Sequence, residues 1–145
     1  MKLFAAAVLL TAATFACAQV AQTAQAGQEK QAIDAAKAAA DKWLALVDAG
    51  QYRASWEQAA PVLRNAVGVA QWEQGGRAVR TPVGAFQART LASAQYTTTM
   101  PGAPQGKYVV LQYTTRFADR ANAVEIVTPM LDADGTWRVS GYFLK

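Results

Sequence analysis

The sequence contains no histidine, and Cys17 is its only cysteine. These absences exclude Ser-His-Asp and Cys-His nucleophilic catalysis, haem ligation by histidine and the usual zinc sites. Neither Gly-x-x-x-x-Gly-Lys nor Gly-x-Gly-x-x-Gly occurs, so a phosphate loop and a dinucleotide fold are not indicated. The formal net charge is +4 with no two basic residues adjacent, which does not indicate a nucleic-acid partner. We therefore predict no cofactor, no metal site and no nucleic-acid binding.

The N-terminus has the pattern of a secretory signal peptide. Lys2 precedes an apolar stretch over residues 3–15, and Ala16-Cys17-Ala18 fits the small-x-small cleavage pattern. An alternative is a lipoprotein signal that acylates Cys17. Thr14 disfavours it, because such signals usually carry an aliphatic residue three positions before the cysteine. We predict export, cleavage after Ala18 and a periplasmic mature protein.

No membrane span is predicted in this chain. The apolar stretch near the N-terminus is shorter than the ~20 residues that a spanning helix needs, and no later segment is longer. We predict a flexible leader over residues 19–30, because this segment is rich in Gln and Ala. We predict a single α+β domain over residues 31–145.

Apolar residues at three- and four-residue steps predict three helices in the first half of that domain. The stripe of the first helix consists of Ile33, Ala36, Ala40, Trp43, Leu44 and Val47, and Gly50 ends that helix. The second helix runs from about Tyr52, and Pro61 either kinks it or begins a new turn. The third helix carries Val69, Trp72, Gly76 and Val79. Each helix thus places one tryptophan on its apolar face.

Four segments after Pro82 predict β-strands, because they are rich in Val, Thr, Tyr and Phe and are separated by turn residues. They span residues 88–99, 107–117, 122–132 and 136–144. Short connections imply antiparallel neighbours, so the strands should form a meander. The fold class is therefore α+β, with three N-terminal helices on a curved four-stranded antiparallel sheet.

Two turns set the expected registers of the sheet. A two-residue turn at Asp134-Gly135 places Met130 opposite Val139, Thr128 opposite Gly141 and Ile126 opposite Phe143. A turn at Asp119-Arg120 places Thr115 opposite Val124, Tyr113 opposite Ile126 and Leu111 opposite Thr128. Both turns put one apolar set on the face under the helices: Val109, Leu111, Tyr113, Val124, Ile126, Met130, Val139 and Phe143.

The other face of the sheet is then mixed in character. Its members include Val127, opposite Tyr142, and Glu125, which should form an ion pair with Arg116 across the strands. A mixed face of this kind indicates a subunit contact, and we predict a weak homodimer through it. Arg80, between the third helix and the sheet, is predicted to serve structure by bonding carbonyls or a carboxylate.

Several motifs resemble one family of exported bacterial proteins. They are Trp43 with Asp48, Tyr52 and Ser55-Trp56; then Trp72; then Arg80-x-Pro82-x-Gly84; then Pro101-Gly102-x-Pro104-x-Gly106-x-Tyr108; then Tyr113-x-Thr115-x-Phe117; then Glu125-x-Val127-Thr128; and Gly135-x-Trp137-Arg138-Val139-x-Gly141-Tyr142. Over residues 38–144 the chain resembles the domain of unknown function 4019 family. Its element order is also similar to the cone-shaped fold of nuclear-transport-factor-2-like and cystatin-like proteins. The resemblance implies a fold and an exported location but no reaction.

Three functions are compatible with these residues. The first is a non-catalytic envelope protein that binds a small apolar or aromatic ligand, or a partner protein, with Trp56, Trp72, Tyr96 and Tyr113 as the expected ligand-binding residues. The second is a hydrolase or isomerase that uses Glu125 or Glu57 as acid or base, which requires that carboxyl group to lie in a cavity. The third is an assembly or scaffold subunit without a ligand. The first is preferred.

Overall fold

The computed structural model describes the backbone of residues 12–145 and the side chains of residues 21–145. The predicted signal peptide falls largely outside these residues, so that export and cleavage after Ala18 stay predictions. The chain divides at Gln31 into two units, of which Ala32–Lys145 is the larger. Among the described residues, every helix is too short or too polar to cross a membrane.

Helix α1 extends from Ala12 to Asp48 and therefore includes residues 19–30, where the sequence predicts a flexible leader. Most side chains of residues 21–30 are exposed, and Ala and Gln are strong helix formers, so this segment is helical by propensity rather than by burial. The predicted division of the chain at residues 18 and 30 stays a prediction. The apolar stripe of α1 beyond Ala32 is confirmed, because it is buried from Ala36 to Val47.

The described residues hold four helices rather than the predicted three. After Gly50, whose φ of 72° ends the first helix, α2 spans Tyr52–Glu57, α3 spans Pro61–Ala66 and α4 spans Val69–Arg80. Pro61 occupies the first turn of α3, where its missing N–H costs no hydrogen bond, and so it begins a separate helix. A 3-10 turn over Thr81–Val83 leads into the sheet.

The predicted antiparallel meander is confirmed. Strands β1 (Phe86–Thr97), β2 (Tyr108–Phe117), β3 (Arg120–Leu131) and β4 (Trp137–Leu144) lie side by side in sequence order. The β1 and β4 strands are therefore the two edges of the sheet.

The pairing of β3 with β4 follows the predicted register over most of its length. Ile126 lies opposite Phe143 and Thr128 opposite Gly141, as expected, but Val139 lies opposite Pro129 rather than Met130. The turn contains three residues, with Gly135 at a φ of 78°, and a bulge at Ser140 takes up the difference. Since proline has no N–H to donate, a bulge beside Pro129 is expected on physical grounds.

The predicted register of β2 with β3 is wrong by one residue. Tyr113 lies opposite Glu125, and Leu111 lies opposite Val127. The turn falls at residues 118–119, because the carbonyl groups of Val83 and Ala85 accept hydrogen bonds from its two N–H groups. A bulge beside this turn brings the pairing of β2 with β3 closer to the predicted register, but a displacement of one residue remains.

This one-residue slip turns every side chain of β3 to the opposite face. Val127 and Glu125 are buried beneath the helices, whereas Ile126 points to the outer face with Phe143, which is 63 % exposed. The predicted Glu125–Arg116 ion pair does not form, and Arg116 is exposed. The predicted dimer surface is therefore wrong, because its central residue Val127 belongs to the core.

The main core lies between α1 and the inner face of the sheet. Its buried members are Ala36, Ala40, Trp43, Leu44, Val47, Tyr52, Val109, Leu111, Tyr113, Val127 and Val139. A smaller cluster of Val83, Phe117 and Ala123, with Leu144 packed against it, closes the end near the 3-10 turn.

Candidate functional site

An apolar groove runs between helix α4 and strand β4. Its volume is about 350 Å³, and its walls include Trp72 and Val79 from the helix and Tyr142 and Phe143 from the strand. Behind it, the ring of Trp43 lies 5.9 Å from that of Trp72 and 5.5 Å from that of Tyr142, measured between centroids. The floor of the groove is therefore held by a packed aromatic trio.

Two adjacent glycines in α4 open this groove. The absence of a side chain at Gly76 lets the helix approach Tyr52, since a Cβ atom there would lie 2.6 Å from the ring of that residue. Gly75 has open space around it, so no side chain fills the groove at that position. The Gly75-Gly76 pair thus sets both the close approach of the helix and the width of the groove.

Apolar side chains are exposed in the groove and at its rim. Val79 lines the groove and is 43 % exposed, and Phe143, at the rim with its side chain on the outer face of the sheet, is 63 % exposed. Only one other large hydrophobic side chain of residues 21–145, Phe86, is similarly exposed. A groove that gathers apolar surface in this way is a candidate binding site.

The polar atoms of Trp72 and Tyr142, the two aromatic residues that line the groove with their rings, already have partners within the protein. The indole Nε1 of Trp72 donates to Ser55 Oγ over 3.0 Å, and the Tyr142 hydroxyl donates to Glu125 Oε1 over 2.6 Å. Ser55 in turn donates to the carbonyl of Tyr52, and its own carbonyl accepts from the Trp43 indole. These side chains therefore present apolar rings to a ligand rather than free hydrogen-bonding groups.

A buried cluster of four charged side chains lies next to this aromatic trio. Asp48 comes from the end of α1, Arg80 from the end of α4, Arg89 from β1 and Glu125 from β3. Each carboxylate contacts both guanidinium groups, so two positive charges are balanced by two negative charges. The cluster joins both helices to the edge and the centre of the sheet.

Every oxygen of the Glu125 carboxylate accepts hydrogen bonds. Oε1 accepts from Tyr142 at 2.6 Å and from Arg80 at 3.4 Å, and Oε2 accepts from Thr115 at 2.5 Å and from Arg89 at 2.6 Å. The residue has no exposed surface. It is therefore enclosed and fully bonded instead of facing a cavity.

The environment of this cluster shifts the pKa of its neighbours. Burial by itself would lower the pKa of the Arg89 guanidinium, but its hydrogen bonds to Asp48 and Glu125 outweigh that effect and raise it. Burial raises the pKa of the Tyr142 hydroxyl above its ordinary value, and the negative charge of Glu125 adds to this shift. Both shifts keep Arg89 charged and Tyr142 neutral, and these are the states in which the two side chains donate their hydrogen bonds.

The structure separates the six predicted site residues. Trp72 lines the apolar groove, whereas Trp56 is half-buried and donates its indole N–H to the Val67 carbonyl. Tyr96 packs against the main core. Tyr113 lies at another opening, beside Arg89, and its hydroxyl donates to Asp41.

The two predicted acid–base residues lie in different environments. Glu125 is enclosed in the charged cluster, and Glu57 is an exposed residue in a separate groove beside Trp137. No set of three or more His, Cys, Asp or Glu residues within the described part of the chain is arranged to hold a metal ion.

Sequence reasoning missed several residues of these sites. Arg89 was not singled out, since a lone arginine in a strand has no distinguishing pattern. Phe143 was assigned to the core, and Val79 to the buried face of its helix. Asp48 was named only in the family motif with Trp43, which gives no indication that it faces two arginines.

Comparison with known protein families gives one match, to the family described as a protein of unknown function (DUF4019), over residues 39–142. The matched region contains the aromatic trio, the whole charged cluster and the groove residues up to Tyr142. No curated protein and no solved structure matches the chain significantly. Because the match covers most of the chain, including β1 to β3 and most of β4, the protein belongs to the DUF4019 family.

Proposed function

We propose that this protein is a non-catalytic binding protein of the bacterial periplasm, and that a small apolar or aromatic ligand binds in the groove between α4 and β4. The observation that carries the proposal is the grouping of the exposed Val79 side chain with the rings of Trp72 and Tyr142 along one apolar groove. A soluble domain rarely leaves apolar surface gathered in a concave site unless something binds there.

The size and chemistry of the groove support a small ligand. Its volume of about 350 Å³ is at the lower end of the range for small-molecule sites, which is roughly 300–1,000 Å³. Since the indole of Trp72 and the hydroxyl of Tyr142 are bonded internally, affinity would come from burial of apolar surface and ring contacts.

The surroundings of Glu125 favour binding over catalysis. A general base needs a free lone pair within reach of a substrate, but this carboxylate is enclosed and takes four hydrogen bonds. Its role in the proposal is to hold Tyr142, and with it one wall of the groove.

The proposed fold likeness and location come from the sequence. Helices that precede an antiparallel four-stranded sheet support a relationship to the cone-shaped nuclear-transport-factor-2-like proteins.

The proposed export is supported by the N-terminal sequence, which contains Lys2, the apolar stretch and Ala16-Cys17-Ala18. Expression in a Gram-negative host should yield a periplasmic protein that begins at Gln19. An intact mass that retains Met1, or that carries a diacylglyceryl group on Cys17, would contradict the proposed maturation.

The groove can be tested with the fluorescent probe 1-anilinonaphthalene-8-sulfonate. We expect the native protein to bind it with saturation and to show a change in tryptophan emission. Val79→Glu should weaken binding at least tenfold, because it places a charge in the groove. Ala78→Glu is the matched control, since Ala78 is exposed on the same helix but does not line the groove. Equal probe affinity in the two variants would disprove the proposed site.

A further inference from the structure

Strand β4 leaves main-chain hydrogen-bonding groups open at the edge of the sheet. Val124 and Lys145 exchange both of their N–H to carbonyl bonds, at 3.0 and 2.9 Å. In an antiparallel pair such bonded positions alternate with unbonded ones. Phe143 therefore directs its main-chain groups toward β3, whereas Tyr142 and Leu144 direct theirs toward the free edge.

Only the first part of this edge is covered by the rest of the domain. The N–H of Ala60, at the start of α3, donates to the carbonyl of Val139 over 2.8 Å. Beyond the bulge at Ser140, no other main-chain hydrogen bond within residues 12–145 reaches the open side of Tyr142 or Leu144. The uncovered edge is thus short, and it runs along the apolar groove.

We propose that a second copy of this chain pairs with this edge, so that β4 and its copy continue the sheet about a two-fold axis at Phe143. In an antiparallel arrangement centred there, Tyr142 of one protomer lies opposite Leu144 of the other. Each such pair exchanges two main-chain hydrogen bonds, and symmetry provides the pair twice. The open groups of the edge are then all satisfied by groups of the same chain.

The exposed Phe143 side chain explains why the occupant is a second copy. At the two-fold axis it would lie directly opposite its own counterpart in an unbonded pair, where the Cα atoms are about 4.5 Å apart. Two aromatic rings that are 63 % exposed in the monomer would then cover one another on the outer face. A foreign peptide would need its own aromatic residue at that position, whereas the copy supplies it by symmetry.

The proposed pairing also adds a side chain to the groove, and this step of the inference rests on the proposed function. Paired residues of neighbouring strands point to the same face of a sheet. Leu144 of the second copy would therefore lie on the inner face beside Tyr142, where α4 forms the opposite wall of the groove. The second protomer would thus supply an additional apolar side chain to each ligand site.

Cross-linking tests this arrangement at the two-fold axis. Phe143→Cys should be made in a Cys17→Ser background, so that the new thiol is the only one in the chain. Its Cα separation in the proposed pair fits a disulfide, and mild oxidation should convert most of the protein to a covalent dimer. Phe86→Cys is the matched control, because Phe86 is also an exposed phenylalanine, on the opposite edge strand. Equal cross-linking of the two variants would overturn the proposal.

Sedimentation velocity provides an independent measurement without a cross-link. The unmodified protein should form a rising fraction of dimer as concentration increases. Phe143→Glu should remain monomeric with an unchanged melting temperature, and Gln112→Glu, on the same outer face but on a central strand, should still dimerise. A native protein that stays monomeric at millimolar concentration would refute the dimer. Neither experiment contains the fluorescent probe, so failure of the groove proposal would appear only in the comparison of Val79→Glu with Ala78→Glu.

Discussion

Replacing Glu125 by glutamine tests the central claim about the charged cluster. The change keeps the shape of the side chain but removes its negative charge, so that Arg80 and Arg89 share only Asp48. It also turns an amide N–H₂ group toward donors, because all four hydrogen bonds at this carboxylate are accepted ones. The cluster changes from electrically neutral to a net charge of +1 inside the protein.

The expected loss of stability is large for a change of so few atoms. Removing one partner of a buried ion pair costs about 3–5 kcal/mol, since the remaining charge is left uncompensated. Small domains have a free energy of unfolding of roughly 5–15 kcal/mol, so Glu125→Gln should remove a large part of the stability of this domain. The corresponding fall in melting temperature is roughly 10–20 °C for a domain of this size.

The assay is urea and thermal unfolding followed by tryptophan fluorescence, with Glu73→Gln as the matched control. Glu73 contacts Arg53 at 3.4 Å and Arg77 at 4.0 Å, and both arginines are largely exposed. The same substitution there should cost less than about 1 kcal/mol. A double-mutant cycle with Arg80→Ala should give a coupling energy well above the error of about 0.5 kcal/mol expected for independent sites.

The reasoning would be refuted if Glu125→Gln and Glu73→Gln lowered the free energy of unfolding equally. That result would mean that the enclosed carboxylate contributes no more than a surface one. Additive effects of Glu125→Gln and Arg80→Ala would likewise contradict the arrangement of the cluster.

Three further predictions concern the packing, the pH dependence and the redox behaviour of the domain. Gly75→Ala should stabilise the protein by up to about 1 kcal/mol, because alanine favours the helix and the space around Gly75 is open. Gly76→Ala should destabilise it by about 1–3 kcal/mol, because the added methyl group clashes with Tyr52. Equal effects of the two substitutions in urea unfolding would contradict this reasoning. Because the pKa of Tyr142 is higher in the folded protein than its unfolded value of about 10, its contribution is complete below pH 10 and is lost as the pH rises further. Tyr142→Phe should therefore lower the melting temperature at pH 8 and reduce the decline between pH 10 and 12, and an unchanged decline would exclude this tyrosine as its source. Dithiothreitol should not change the melting temperature, since Cys17 is the only cysteine, and a shift of several degrees would indicate a disulfide between chains.

Much of the fold could be predicted because the relevant signals are local. The apolar stripe of α1 has helical spacing from Ala36 to Val47, and Gly50 ends the helix by adopting a positive φ. The order of four antiparallel strands follows from their short connections. Even the separate helix α3 was one of the two alternatives that Pro61 allows, because proline is suited to a first helical turn.

The candidate site could be predicted only in part. Trp72 was identified as a ligand-binding residue, and it does line the apolar groove. Arg80 was expected to bond carbonyls or a carboxylate, and it contacts two carboxylates. The two partners of Arg80 lie 32 and 45 residues away along the chain, and nothing local to either carboxylate indicates that distance.

The sequence by itself determined the element types of residues 31–145, the strand order and the absence of histidine and cysteine chemistry from residues 18–145. Only the tertiary structure decided which side of β3 faces the helices. Hydrogen bonds from the turn at residues 118–119 to the carbonyl groups of Val83 and Ala85 shift the register by one position, and these partners are distant in sequence. Because side chains alternate along a strand, that single step exchanges the two faces, which buries Glu125 among arginines and leaves Phe143 exposed beside the groove.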